Sequence, residues 1–278
     1  MTRYWWFEKI TPHYSHGYHV IPIYEKRTPY QHLLILKNPL WGRFLVLDGI
    51  TQFTEKDEFI YHETIVFIPL AAFEKLPRQV LVIGGGDGGV IRELQKIPQI
   101  EKILQLEIDL EVFKACQKYL REITGNYEDK RIEFKILDGA KFVSEAREET
   151  FDLVIVDCTD PIGPAVALYT EEFYKNLYRI LTPQGRFIQQ ASIPRFYPET
   201  LPMAFRRAQK AFPKVEICRA PVPCYGDEIA FIIASKSEDS AVNPKTDFKG
   251  RFYNPSIHKA SFSIPSWWEE LLFEKTEI

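Results

Sequence analysis

The apolar run Val80-Leu81-Val82-Ile83 opens directly onto Gly84-Gly85-Gly86-Asp87-Gly88-Gly89, a glycine loop with a carboxylate inside it. A strand, a glycine turn and then a helix commit the chain to a βαβ unit, and so to a parallel sheet with helices on its faces. Glycines let backbone amides approach a nucleoside ligand, and the helix that follows offers a positive N-terminus. A loop shaped for phosphate gains nothing from a central aspartate, whose charge repels that ligand. Asp87 therefore points to a ligand group that is positive where most such loops meet a negative one.

From the loop onward, strands alternate with helices. Gly89 to Lys96 reads as a helix, Ile103 to Glu107 as a strand and Leu110 to Leu120 as a helix. Ile132 to Leu137 is a strand, followed by a helix from Ala140 to Ala146 and a strand at Leu153 to Val156. Helix Glu171 to Leu181, strand Arg186 to Gln190 and helix Glu199 to Phe212 complete the alternation. Two later apolar stretches, Val215 to Cys218 and Ile229 to Ala234, read as added edge strands. The strands are near-continuous apolar runs, as expected where helices cover both faces of a parallel sheet. Before the loop, residues 18 to 54 alternate like β-structure, with a turn at Asn38 to Gly42. Asp57 to Phe73 carries Phe59, Ile60, Thr64, Phe67, Ile68 and Ala71 at helical spacing, with Glu55, Asp57 and Glu58 suited to its positive end.

At 278 residues the chain can bury a full core, and 45% hydrophobic against 26% charged residues is ordinary for a globular protein. A net charge of −3 excludes a strongly basic nucleic-acid surface. Met1 to Lys9 lacks a signal-peptide apolar region, and no segment has membrane-spanning length, so the chain reads as cytoplasmic with no membrane partner. Cys116, Cys158, Cys218 and Cys224 show no metal-ligand spacing. They read as free thiols, with a Cys218–Cys224 bridge as the alternative.

Ligands of a doubly wound sheet bind beyond the carboxyl ends of its strands. This chain places an acid at or just past four such ends: Asp87, Glu107, Asp138 and Asp157, with Asp160 three residues after the last. Glu107 stands 23 residues beyond Gly84, the interval at which an acid meets ribose hydroxyls. Gly84-x-Gly86-x-x-Gly89 also matches a dinucleotide fingerprint. Asp138 has a second reading as the N-cap of the helix after it. Asp157-Cys158-Thr159-Asp160-Pro161-Ile162-Gly163-Pro164-Ala165 is a turn stiffened by proline, able to hold a preorganised site or simply to cap amides through its aspartates. Acids converging on one cleft are costly without a cation, and a polycationic substrate supplies one.

With these residues the chain closely resembles the polyamine aminopropyltransferases, the spermidine synthase family. The resemblance rests on Trp5-Trp6-Phe7-Glu8, Tyr30-Gln31, Leu47-Asp48-Gly49, Gln52, Asp57 to Glu63, the Gly84 to Gly89 loop, Glu107-Ile108-Asp109, Asp138-Gly139, and Asp157 to Ala165 with Leu168-Tyr169. It implies an α/β fold, a Rossmann-like domain of the class I methyltransferase type (57–278) behind a small N-terminal antiparallel β domain (1–56). It implies transfer of an aminopropyl group from decarboxylated S-adenosylmethionine, a co-substrate, to a small amine, with no prosthetic group, no metal, and a homodimer or homotetramer as the assembly. Gln31, Glu107, Asp138 and Gly139 would hold the nucleoside, with Pro164 near the adenine, and Asp87 would hold the donor's ammonium. Tyr61, His62, Asp157 and Asp160 would face the acceptor amine, Tyr225 would close over it, and Asp157 would be the proton acceptor. A packed core histidine is the alternative for His62, and an exposed loop residue the alternative for Tyr225.

Two places depart from the family pattern. Gln190-Ala191 is followed by Ser192 where a glutamate is usual, and Tyr225 to Phe231 is shorter and more acidic than usual. Both bear on the acceptor, for which putrescine is the default and agmatine, cadaverine or a longer polyamine are alternatives. Three other readings compete: an amine methyltransferase using intact S-adenosylmethionine, which Asp87 opposes; a NAD-dependent oxidoreductase; and a noncatalytic scaffold.

Overall fold

The computed structural model describes residues 2–273. Five strands come first: β1 (Tyr4–Thr11), β2 (Tyr14–Arg27), β3 (His32–Asn38), β4 (Gly42–Leu47) and β5 (Ile50–Thr54). They pair antiparallel in chain order. Strand structure starts well before residue 18, where alternation first becomes visible. Four aromatics in a row, Tyr4 to Phe7, place apolar groups on both faces of β1 and erase the period-two signal.

The larger sheet has seven strands in the order β11-β12-β10-β9-β6-β7-β8. They are β6 (Gln79–Gly84), β7 (Lys102–Glu107), β8 (Ile132–Ile136), β9 (Phe151–Asp157), β10 (Leu181–Gln190), β11 (Lys214–Val222) and β12 (Asp227–Ser235). The run from β8 to β10 is parallel, and β12 is antiparallel to both its neighbours. The helices are α1 (Glu58–Ala71), α2 (Gly89–Gln95), α3 (Leu110–Tyr119), α4 (Gly139–Glu145), α5 (Glu171–Ile180), α6 (Thr200–Gln209), α7 (Pro255–Ser261) and α8 (Ser266–Phe273).

This is the α/β arrangement of a class I methyltransferase-type sheet, as the resemblance implies. One of the two late strands differs from its expected place. Only β11 lies at the edge; β12 inserts between β10 and β11. Its residues Ile229 to Ser235 are all buried, so both faces need cover and an edge position would leave one bare.

Strand order reverses at β6, which pairs with β9 on one side and β7 on the other. That reversal opens a crevice at the carboxyl ends of the strands. The N-terminal sheet closes one side of it. Leu33, Ile35, Leu45, Leu47 and Phe53 pack against Val112, Ala115, Cys116 and Leu120 of and just beyond α3.

Helix α1 is buried on nearly all sides, between α2 and the β9, β10 and β11 region of the sheet. A helix so enclosed must find partners for every polar side chain it carries. Glu63 finds three: its carboxylate accepts the amides of Arg251 (2.8 Å), Phe252 (2.7 Å) and Tyr253 (2.8 Å), fastening the C-terminal segment to the core. We predict that Glu63→Gln, which loses charge and one acceptor, lowers stability by about 2 kcal/mol, since bonds to a charged group contribute roughly 1.5–3 kcal/mol each. The midpoint of urea unfolding checks this, and an unchanged midpoint would show that Glu63 is not the fastening.

Candidate active site

The glycine loop owes its shape to the end of β9. Gly84 sits at φ +82°, and a Cβ there would lie 2.1 Å from the carbonyl oxygen of Asp157. The Gly85 amide donates to that same oxygen at 2.9 Å. From below, Gln105 Nε2 donates to the carbonyls of Gly84 (3.0 Å) and Gly85 (2.7 Å), and Tyr127 Oη donates to Gln105 Oε1 (2.7 Å). Neither Gln105 nor Tyr127 was anticipated from sequence. The available signal was a lone glutamine inside the apolar strand Ile103-Leu104-Gln105-Leu106, which has to be hydrogen-bonded when buried.

On the β7 side of the loop, Glu107 is buried, and its Oε1 accepts the Asp109 amide at 2.8 Å. Burial outweighs the amides it accepts and raises its pKa to about 7. Asp109 caps α3 with Oδ1, while its Oδ2 accepts from Thr28 Oγ1 (2.7 Å) and Gln31 Nε2 (2.9 Å). Gln31 thus reaches from the N-terminal sheet to the rim beside Glu107. Asp138 caps α4 through Oδ1, accepting from Ala140 (2.8 Å) and Lys141 (3.1 Å), so the capping reading holds and Oδ2 is spared. Gly139 is buried, and a Cβ there would meet Ile83 Cγ2 at 2.3 Å. Pro164 is exposed on the 3-10 turn Gly163–Tyr169, between exposed Ile162 and Val166.

On the other side of the loop, Tyr61 Oη donates to Asp157 Oδ1 at 2.6 Å. Asp157 Oδ2 is buried and has no hydrogen-bond partner among the described residues. Burial first, and then the charge of Asp87, push Asp157 up to about pH 7 against the opposing pull of His62 and Tyr61. Asp160 is raised above the ordinary carboxylate range by burial, although Ser192 and Gln190 act against it. Gln190 Nε2 approaches Asp160 Oδ1 at 3.3 Å. Ser192 has φ +68°, and its buried hydroxyl is near enough to Asp160 to act on it but makes no well-formed hydrogen bond among the described residues.

Tyr225 is not a free loop residue. Its hydroxyl donates to the Gln52 carbonyl at 2.6 Å, and its ring stands edge-on to Tyr61 at 6.4 Å. The turn that carries it is also held to the N-terminal sheet by Tyr18 Oη on the Cys224 carbonyl (3.2 Å). The added acids of this loop turn to cations: Asp227 pairs with Arg195 and Glu228 with Arg219. All four cysteines are free, so the Cys218–Cys224 bridge does not form.

Between the two sides stands His62, only 1% exposed. Its Nδ1 lies 2.6 Å from Glu58 Oε2 and its Nε2 lies 3.2 Å from Asp87 Oδ1. Asp87 Oδ1 also accepts the Gly89 amide at 2.6 Å. Gly89 is required there, because a Cβ would fall 2.3 Å from the imidazole. Both ring nitrogens are therefore committed to carboxylates, an arrangement that neither simple core packing nor direct amine contact anticipated. His62, Asp87 and Asp157 bring their polar atoms within 4.8 Å of one another, a setting for positive charge.

A methyltransferase-type sheet, a glycine loop carrying an acid, and further acids at the neighbouring strand ends define a nucleoside-dependent transferase that handles a cation. The comparisons with known proteins narrow that class. Residues 58–246 match the spermine/spermidine synthase domain, and residues 4–55 match the spermidine synthase tetramerisation domain. The chain belongs to the spermine/spermidine synthase family. It is 42% identical over 266 residues to the polyamine aminopropyltransferase of Desulforudis audaxviator, covering 94% of this chain and 96% of that one. It is 43% identical over 253 residues to the polyamine aminopropyltransferase of Clostridium tetani, covering 89% of each. The crystal structure of spermidine synthase from Thermotoga maritima superposes with a TM-score of 0.91 at 33% identity, over 98% of this chain and 95% of that one. A spermidine synthase in complex with the transition-state analogue AdoDATO gives 0.92 at 33% identity, over 97% and 94%. Membership of this family sets aside the dinucleotide and scaffold readings.

Proposed function

We propose that this chain is an aminopropyltransferase that moves the aminopropyl group of decarboxylated S-adenosylmethionine to putrescine, giving spermidine and 5′-methylthioadenosine. One observation carries the choice of donor: the acid inside the glycine loop, Asp87, which accepts the Gly89 amide and stands 3.2 Å from His62 Nε2. An intact methyl donor would bring its α-carboxylate to that acid and be repelled. The decarboxylated donor keeps only an ammonium, so one residue both binds it and selects against the commoner nucleoside.

The remaining roles follow from chemistry. Gln31, Glu107, Asp138 and Gly139 hold the nucleoside, and Pro164 covers the adenine. The acceptor arrives as an ammonium between Asp157, Asp160 and the ring edges of Tyr61 and Tyr225. It is not nucleophilic until a proton leaves. Asp157 takes that proton on its unpartnered oxygen while Tyr61 holds the other, the nitrogen–carbon bond forms, and the carbon–sulfur bond breaks. Alignment of nitrogen, carbon and sulfur supplies the rest. His62 acts on Asp87 rather than on the amine. Putrescine is the acceptor because Asp227 and Glu228 are spent on arginines and add no charge for a longer amine.

The outer face of β1 exposes Trp5 and Phe7, stacked at 6.3 Å. On that face, and on the match to a tetramerisation domain, we take the assembly to be a homotetramer built through the N-terminal sheet. Light scattering should give about four chain masses for the wild type and a smaller species for Trp5→Ser; a wild-type monomer would contradict the assembly.

Incubation with decarboxylated or intact S-adenosylmethionine and a panel of putrescine, agmatine, cadaverine and spermidine, read by mass spectrometry, tests the activity. Spermidine and methylthioadenosine from the first donor are expected; methylated amine from the second would sink the reading. Asp157→Asn should lower kcat by about a thousandfold with donor affinity within about threefold. Because Asp157 is a base only when ionised, wild-type kcat/KM should rise as pH passes upward through about 7, and that limb should vanish in the variant.

A further inference from the structure

Glu58 and Arg92 are buried or half-buried charges that the transfer chemistry leaves without a task. Glu58 begins α1, is 4% exposed, and accepts both terminal nitrogens of Arg92 at 2.9 and 2.8 Å. Arg92, on α2, also donates to Glu93 (2.9 Å) and to the Ile123 carbonyl (3.1 Å). With Glu58 against His62 and His62 against Asp87, cation and anion alternate from α2 to the glycine loop.

The geometry dictates the protonation of the middle member. A carboxylate oxygen faces each ring nitrogen of His62, and a carboxylate only accepts. A neutral imidazole would aim a lone pair at one of them inside a buried site. With an anion against each ring nitrogen, the imidazolium is the form this site stabilises.

We propose that Glu58 and Arg92 are positioning residues for the transfer: through His62 they hold a fixed cation against Asp87, which keeps that carboxylate ionised and leaves its second oxygen to the donor ammonium. The proposal rests on the aminopropyl-transfer reading above. The charged and titratable groups around His62 are Glu58 and Tyr61 from α1, Asp87 from the loop, Asp157 from the end of β9, and Arg92 behind Glu58; Phe53 of β5 adds an uncharged ring edge. Burial works against a charged His62, but Asp87 and then Glu58 outweigh it and raise it to about 10. Glu58, although burial pushes it up, is held down to about 2 by His62 and Arg92. A group raised in this way keeps its proton below its pKa and loses it as pH rises through that value. Glu58→Gln removes one of the two carboxylates, so His62 should lose its proton at lower pH; the neutral ring can accept the new amide at Nδ1 and keep Nε2–H toward Asp87, but the fixed positive charge beside Asp87 is gone.

The test uses the intact protein with nitrogen-15-labelled histidine, the His62 signals being identified by their absence from His62→Gln. Wild-type His62 should show two protonated nitrogens at about pH 8, and Glu58→Gln should lower its midpoint by at least about one pH unit, a tenfold loss of proton affinity. With decarboxylated donor and putrescine, the alkaline limb of kcat/KM should move down by the same amount in Glu58→Gln and by less in Glu58→Asp. A neutral wild-type His62 at that pH overturns the proposal. So does a Glu58→Gln enzyme whose rate falls evenly at every pH with the limb unmoved. Should that variant not fold, the wild-type spectrum decides alone. The spectrum needs no turnover, so a charged His62 in a protein that transfers no aminopropyl group refutes the transfer reading and not the relay.

Discussion

Keeping carboxylates ionised where water is scarce is the constraint on which this site depends. Removing a charged group from water costs several kcal/mol unless a partner of opposite charge replaces the solvent. The chain meets that cost in two ways. Glu58 and Asp87 receive built-in cations, Arg92 and His62, and both are held below their ordinary pKa. Glu107, Asp157 and Asp160 receive none that suffices, and all three are raised. The balanced acids are the fixed frame. On the proposed function, the unbalanced ones are where a cationic or hydroxyl-bearing substrate completes the hydrogen bonding.

The same constraint explains the crowding of the glycine loop. To stand beside Asp157, the loop must pass within contact of its backbone, which only Gly84 permits, and to let His62 reach Asp87 it needs Gly89. The buried polarity of α1 has the same origin. A helix that carries Glu58, Tyr61, His62 and Glu63 in two turns is a poor choice for a plain core, and each of the four has a specific partner. The second layer is as specific as the first. Gln105 and Tyr127 fix the loop carbonyls, and the Tyr225 turn is fixed to the N-terminal sheet.

Much of this was legible in the chain because it is local. Apolar runs gave the parallel strands, and the acids at their ends follow those runs by one to four residues. What was not legible is long-range pairing. Arg92 and Glu58 are 34 residues apart, Gln31 and Asp109 are 78 apart, and Tyr225 and Gln52 are 173 apart. No spacing rule joins such pairs, and only a packed sheet brings them together. The contacts of His62 escaped for the same reason, since its second carboxylate comes from another element. The placement of β12 inside the sheet escaped because an apolar run states that both faces are covered without saying by which neighbours.

The central claim is that Asp87, already neutralised by an internal imidazolium, discriminates between two nucleosides that differ by one carboxylate. Calorimetric titration of the wild-type protein with decarboxylated and with intact S-adenosylmethionine tests this most directly. The decarboxylated compound should bind at least about a hundredfold more tightly, a difference of roughly 3 kcal/mol. Equal affinities, or tighter binding of the intact compound, would contradict it.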